Sequence, residues 1–424
     1  MPNVFRAAIS SLGMLFVVLL VVAGVRKVPG DGQQTPPDLR FVDVAAERGV
    51  QVADRVTRGG VWEDFNGDGY LDLVLGNIFA PNQLFLNDGR GYFVDVTPTA
   101  GLSPDLAEDS YGTNVADFDN DGDPDIIFSN GGFNSLGINR LYRNDRATTG
   151  RFTEVGATAG IAGAPASNHA AAWLDYDNDG LLDLIVHKRN APDALFHNQG
   201  NGTFVDVAPQ AGVDVLFGAN GVCPGDFDND GKVDLFLPNF PLGKSSDYSR
   251  LFRNNGDGTF TDVTLTSGLF APKRAFTCAV DDFNQDGWLD LYIPTFNTHA
   301  DPVQEPSRLY INTGHQSFVE VAAQANAAIA SDIMGLQAGD LNNDGYPEIF
   351  LGLCEPAVLT PDVLLLNRTD PRTGVVAFPS PRPGPAAGTR AAGPTRQTSS
   401  RRRSRSLNVM SRTSSQAARR EAPS

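Results

Sequence analysis

The sequence predicts an all-β fold: a β-propeller of six to seven four-stranded blades with calcium loops, its N-terminal strand closing the ring. Three observations predict it. A nine-residue acidic segment recurs six times, its first residues spaced 53, 58, 51, 56 and 58 apart. A β-hairpin signature recurs in step with it, and no stretch of the body carries helical periodicity.

In chain order, residues 1–25 read as a signal peptide or signal anchor. Arg6 precedes an apolar run from Ala7 to Val25, and Val21-Val22-Ala23 is a usable cleavage site. The run is also long enough to stay as an anchor. Either outcome places the body outside the cytoplasm: secreted, periplasmic or at the cell surface, with membrane contact only through the anchor. A linker (26–37) leads to the propeller (38–370). Its first segment, Phe41-Val42-Asp43-Val44, matches Phe204-Val205-Asp206-Val207 and reads as a fourth strand with no blade before it. In a ring it completes the last blade and hides an edge.

Each repeat then reads strand, acidic loop, strand, connection and hairpin. In NQLFLNDGRGYFVDV or DALFHNQGNGTFVDV, an alternating run ends in Asn, turns at Gly and returns as Phe-x-Asp-Val. Four antiparallel strands per repeat are the plan of a propeller blade. The sixth repeat lacks a recognisable returning strand, a defect that fits the orphan at the N-terminus. Residues 371–424 are rich in Pro, Arg and Ser and read as a disordered tail.

The tail distorts the overall charge. The chain's formal net charge is −17, yet residues 381–424 carry ten Arg and one Glu, which leaves −26 on the other 380 residues. Such a body repels phosphates, which argues against nucleic acid, and suits cations. Of three cysteines (Cys223, Cys278 and Cys354), the first two occupy similar places in their repeats. They read as buried small residues, with one bridge left open in an oxidising compartment.

The acidic segments are DFNGDGYLD (64–72), DFDNDGDPD (117–125), DYDNDGLLD (175–183), DFDNDGKVD (226–234), DFNQDGWLD (282–290) and DLNNDGYPE (340–348). Within each, positions 1, 3, 5 and 9 carry side-chain oxygens, and position 6 is Gly. Calcium takes six to eight oxygens, and a tight loop offering them at alternate positions surrounds it. The expected ligands are Asp64, Asn66, Asp68 and Asp72; Asp117, Asp119, Asp121 and Asp125; Asp175, Asp177, Asp179 and Asp183; Asp226, Asp228, Asp230 and Asp234; Asp282, Asn284, Asp286 and Asp290; and Asp340, Asn342, Asp344 and Glu348. Up to six Ca²⁺ follow. The second, third and fourth loops hold the fullest carboxylate sets. Position 7 (Tyr70, Asp123, Leu181, Lys232, Trp288, Tyr346) is expected to give only its carbonyl, leaving its side chain free. Position 6 needs positive φ, which Gly supplies. Aromatics at position 2 (Phe65, Phe118, Tyr176, Phe227, Phe283) read as core between blades.

These loops, with Tyr111-Gly112-Thr113 and Phe217-Gly218-Ala219 ahead of two of them, resemble FG-GAP repeats, also called VCBS repeats, which build the propeller of integrin α subunits. The hairpin consensus more narrowly resembles bacterial relatives of cartilage acidic protein 1. The resemblance covers roughly residues 38–370. It implies secreted or surface proteins, calcium at loop positions 1, 3, 5 and 9, usually seven blades, and a C-terminal ASPIC/UnbV-type domain. This chain has six loops and no such segment. Gly374-Val375-Val376-Ala377-Phe378 resembles the strand before a seventh loop, so a frameshift or truncation is the expectation.

Catalytic signatures are missing: no His-Glu-x-x-His, Gly-x-Ser-x-Gly or P-loop is present. The histidines (His169, His187, His197, His299, His315) share no ligand spacing; His169, on the expected inner strand, is one that can face the central channel, and it reads as a satisfied surface or channel histidine. The expectation is a monomeric, non-enzymatic, adhesion-type scaffold for an unidentified protein or glycan. The alternative is a propeller lyase or hydrolase acting on polysaccharide at the channel mouth.

Overall fold

The computed structural model describes residues 43–378 apart from 51, 53–55, 103–108, 133–134, 217–220, 241–247, 271, 273, 298–303 and 354–361. The expected signal segment, the linker, Phe41-Val42, Phe217-Gly218-Ala219, His299, Cys354 and the tail beyond 378 lie outside the described residues.

Six antiparallel sheets follow one another along the chain, five of four strands and one of three. Each opens with a strand that runs into its acidic loop: Val56–Glu63, Ser110–Ala116, Asn168–Leu174, Cys223–Gly225, Ala279–Asp281 and Ile333–Gly339. These first strands touch one another from blade to blade and line the axis. The chain leaves each loop on the second strand and returns through the hairpin, so acidic loops and hairpin turns share one end of every blade.

Both faces of the second to fifth blades are covered by neighbouring blades, which is why their second strands read as unbroken apolar runs. Successive side chains alternate between faces. In Asp125–Asn130, Ile126 and Phe128 pack with Phe65, Val74 and Leu84 of the first blade, while Ile127 packs with Leu184 and Val186 of the third. The five position-2 aromatics are all buried between blades, as the sequence reading had them.

A repeated polar staple joins the blades. In the second to fifth blades the Asn that ends the third strand, and in the sixth Asn367 just beyond it, turns its side-chain amide under the preceding blade and donates Nδ2 to the position-2 carbonyl there. The pairs are Asn144 to Phe65 (3.0 Å), Asn198 to Phe118 (2.9 Å), Asn254 to Tyr176 (2.6 Å), Asn312 to Phe227 (2.8 Å) and Asn367 to Phe283 (2.8 Å). Sequence reading saw this Asn only as the end of a run.

The two ends of the described body follow the same plan. The turn Ala45–Arg48, closed by Gly49 at φ +84°, seats Val50 on Leu73, Leu75 and Phe85 of the first blade. The turns Thr97–Ala100 and Ala208–Ala211 are built alike ahead of later blades. At the other end the structure corrects the reading of Gly374–Phe378. It does not lead toward a seventh loop. Arg368 N–H donates to Ala377 O (2.7 Å), and Phe378 N–H donates to Ala325 O (2.7 Å). Phe318 makes the matching bond to Ser267 O, and Phe204 to Ala159 O. Phe378 therefore occupies the place of the returning Phe in the sixth blade, and packing continues past residue 370 through buried Val376 and Phe378. The sixth blade's far face is less covered: Leu341, at loop position 2, is 37% exposed, where its counterparts are 5% or less.

Cys223 and Cys278 form a disulfide between the fourth and fifth blades, Cα atoms 6.3 Å apart. The sequence left this bridge open and preferred buried thiols. Their similar positions, three and four residues ahead of successive loops, put Cys223 at the start of one inner strand and Cys278 just ahead of the next.

Candidate metal centres

All six acidic loops close in one way. The position-1 carboxylate accepts the N–H groups of positions 5 and 6: Asp117 takes Asp121 (3.0 Å) and Gly122 (2.9 Å), and Asp226 takes Asp230 (3.1 Å) and Gly231 (2.8 Å). The position-5 carboxylate accepts the N–H of position 7, as Asp121 does from Asp123 (2.9 Å). Position 9 is locked from two sides in the first five loops. Asp125 Oδ2 takes the Phe118 N–H (3.0 Å), and Oδ1 takes the Asn144 N–H (2.7 Å). These bonds wrap the chain around its own carboxylates and point them inward.

Two positions need left-handed backbone. Gly at position 6 has φ between +85° and +93° in every loop, as expected. Position 4 shares the conformation, which sequence reading missed: Asn120, Asn178, Asn229, Gln285 and Asn343 sit near φ +57°, a region Asn tolerates. The side chain there links loop to loop. Asn178 Nδ2 donates to Gly231 O (3.2 Å), Asn229 Nδ2 to Gly287 O (2.9 Å), and Gln285 Nε2 to Gly345 O.

Ligand atoms of Asp117, Asp119 and Asp125 converge within 4.8 Å, as do those of Asp175, Asp177 and Asp183, and those of Asp226, Asp228 and Asp230. These are the three loops with the fullest carboxylate sets. In the first, fifth and sixth loops the position-3 amide takes over part of the charge balance. Asn66 Nδ2 donates to Asp68 (2.9 Å), Asn284 Nδ2 to Asp286 (2.8 Å), and Asn342 Nδ2 to Glu348 (2.8 Å).

Position 9 is where charge is hardest to sustain. Burial pushes Asp125 up to about 8, opposed by the Asn144 and Phe118 N–H groups and reinforced by Asp119 and Asp121. Burial likewise pushes Asp290 up to about 8, Asp234 to about 7, and Asp72 and Asp183 to about 6. Glu348 is raised for the same reason. Side-chain oxygens held at alternate positions around a buried carboxylate fit a hard cation such as calcium. In the third loop alone among the described residues, a His197 nitrogen joins Asp177 and Asp179 within 4.8 Å.

Position 7 departs from expectation. Its side chains are engaged: Asp123 is buried in an ion pair with Arg146, and Lys232 Nζ meets Asp230 Oδ2 at 2.7 Å. The histidines depart too. His197 Nδ1 lies 3.1 Å from Asp183 Oδ1 and 3.5 Å from Asp177 Oδ2, inside the third centre. Its place between Phe196 and Asn198 is taken by Arg143 and Arg253 in the flanking blades, so the signal lay in comparing hairpins. His169 is fully buried, stacked on Tyr111 (4.6 Å), with Nε2 3.0 Å from Ser167 Oγ. That hydroxyl donates to Gly132 O (2.6 Å), so its proton is already committed.

Six antiparallel sheets around an axis, each with this acidic loop at one end, define a β-propeller of the acidic-loop type. The FG-GAP-like repeat family matches residues 64–128, 117–186, 175–237, 242–293 and 297–351, and the chain belongs to it. Among curated proteins the chain is similar to cartilage acidic protein 1. It is 35% identical to the Homo sapiens protein over 184 residues (41% of this chain, 27% of that one) and 25% identical to the Mus musculus protein over 381 (82% and 55%). Against the Xenopus tropicalis protein it is 32% identical over 316 residues (68% and 46%). The chain thus spans between about a quarter and about half the length of these relatives. Among solved structures, an exotype rhamnogalacturonan lyase, YesX, aligns with TM-score 0.42 and 14% identity (76% of this chain, 54% of that one). The Vibrio cholerae biofilm matrix protein Bap1 aligns with TM-score 0.35 and 17% identity (59% and 36%).

Proposed function

We propose that this chain is an exported calcium-binding propeller acting as a non-enzymatic, adhesion-type scaffold for a protein or glycan partner. The observation that carries the reading is the convergence of three carboxylates within 4.8 Å in each of the second, third and fourth loops. Carboxylates held that close repel one another, and a dication reverses the sign of the interaction. Calcium then sets the shape of one whole end of the propeller. Export is supported by the Cys223–Cys278 disulfide, which suits an oxidising compartment. Among the described residues no helix is long and apolar enough to cross a membrane. The non-enzymatic reading is supported by the committed hydroxyl of Ser167 and the burial of His169.

Capture from the exported fraction, with calcium and then with EGTA, tests the scaffold role. A partner retained in calcium and released by chelation is the expected result. Chemical turnover of a polysaccharide by the purified chain would overturn it.

A further inference from the structure

The end of the propeller opposite the acidic loops holds a separate site at the junction of the first and second blades. There a cavity of about 330 Å³ is lined by Phe79, Asp109, Asn130, Ser135, Leu136 and Pro165 among others. Asp109 immediately precedes the inner strand Ser110–Ala116, whose seven residues separate it from the second acidic loop by about 20 Å. The site is therefore independent of the metal centres.

Asp109 is 8% exposed. Its Oδ2 accepts the Ser135 hydroxyl at 2.5 Å, while Oδ1 is buried with no hydrogen-bond partner. Ser135 gives its hydroxyl proton to Asp109 and accepts the Gly132 N–H (2.7 Å), so it has no proton left to give a ligand. The Asn130 side-chain oxygen is likewise occupied, by Ser110 Oγ (2.8 Å). Among the described residues no cation pairs with Asp109. A buried carboxylate without a counter-charge is costly, and a cation that enters beside it removes that cost. At the mouth, Phe79 and Leu136 are 68% and 61% exposed, an apolar rim above a negative floor.

We propose that this cavity receives a lysine or arginine side chain from a partner protein: the charged head toward Asp109, the aliphatic stem between Phe79 and Leu136. The head supplies the donors that the floor lacks, and Phe79 adds a ring face to the cation. This deepens the scaffold reading and rests on it, since it names the chemistry by which a partner is held.

The test uses the full chain and one defined probe, Nα-acetyl-lysine N-methylamide, titrated calorimetrically against its norleucine analogue. Affinity in roughly the millimolar range is expected for one side chain, with the uncharged analogue silent. Asp109→Asn keeps the shape and weakens binding about tenfold or more. Phe79→Ala and Leu136→Ala alter only exposed rim residues, leave the fold intact and weaken binding a few-fold. Equal binding of the norleucine analogue, no lysine binding, or unchanged affinity in all three variants overturns the proposal. Calcium-dependent melting of the same samples reports on the metal centres alone, so the two readings fail separately.

Discussion

Replacing Asn312 by Ala tests the staple between the fourth and fifth blades. Asn312 is fully buried, and its Nδ2 donates to Phe227 O (2.8 Å) and Leu289 O (3.1 Å) while Oδ1 accepts the Gly314 N–H (3.0 Å). Alanine removes all three bonds and leaves their partners in place. Each neutral hydrogen bond contributes about 1 kcal/mol, and a partner left buried and unsatisfied adds to the loss, so the total is roughly 3–5 kcal/mol. In a domain of this size that corresponds to a fall in Tm of about 4–7 °C. Urea denaturation and calorimetry in saturating calcium measure it, with Asn255→Ala, exposed in the corresponding hairpin of the fourth blade, as the control. A loss below about 1 kcal/mol for Asn312→Ala would refute the view that this Asn joins the blades.

Three further outcomes follow from the structure. Reducing the Cys223–Cys278 bridge, or Cys223→Ser, releases a loop of 55 residues and lowers stability by about 4 kcal/mol on the chain-entropy account, measured by melting with and without reductant. Without calcium, pH acts through the position-9 carboxyls, whose folded-state values of about 6 to 8 lie above the unfolded value of about 3.9. Their contribution to the calcium-free fold is full below about pH 4 and is lost as pH rises through 6–8, so Tm in EGTA falls from pH 5.5 to 8.5. Saturating calcium, which binds the ionised form, flattens or inverts that slope. Asp119→Asn, which removes one of three converging carboxylates, weakens calcium binding at the second loop about tenfold or more and leaves the other loops unchanged, as isothermal titration reads.

Much of the fold was legible because the sequence states it six times. The period, the Gly at position 6 and the apolar second strands each follow from local rules, and repetition made them legible as blades. The aromatics at position 2 could be assigned to the core for the same reason. What stayed hidden depends on neighbours in space. Asn312 reaches a carbonyl 85 residues away in sequence, and Gln285 reaches Gly345 in the next loop. Phe378 is set in the sixth blade by a bond to Ala325 after a longer turn that obscured the repeat. His197 belongs to the third centre only because its hairpin folds back over the loop. The rule that left position-7 side chains free counted their ligand role and ignored the hairpin turn beneath them, against which Tyr70 and Trp288 lie.

The central claim is that the acidic loops hold calcium in the folded state. Its most direct measurement is a count of calcium bound per chain at equilibrium, paired with melting of the same sample across a calcium titration. The account predicts several ions per chain, up to six, with each site at a hundred times its Kd adding about 2.7 kcal/mol to stability. Less than one ion per chain at millimolar free calcium, with a melting curve unmoved by EGTA, would contradict it.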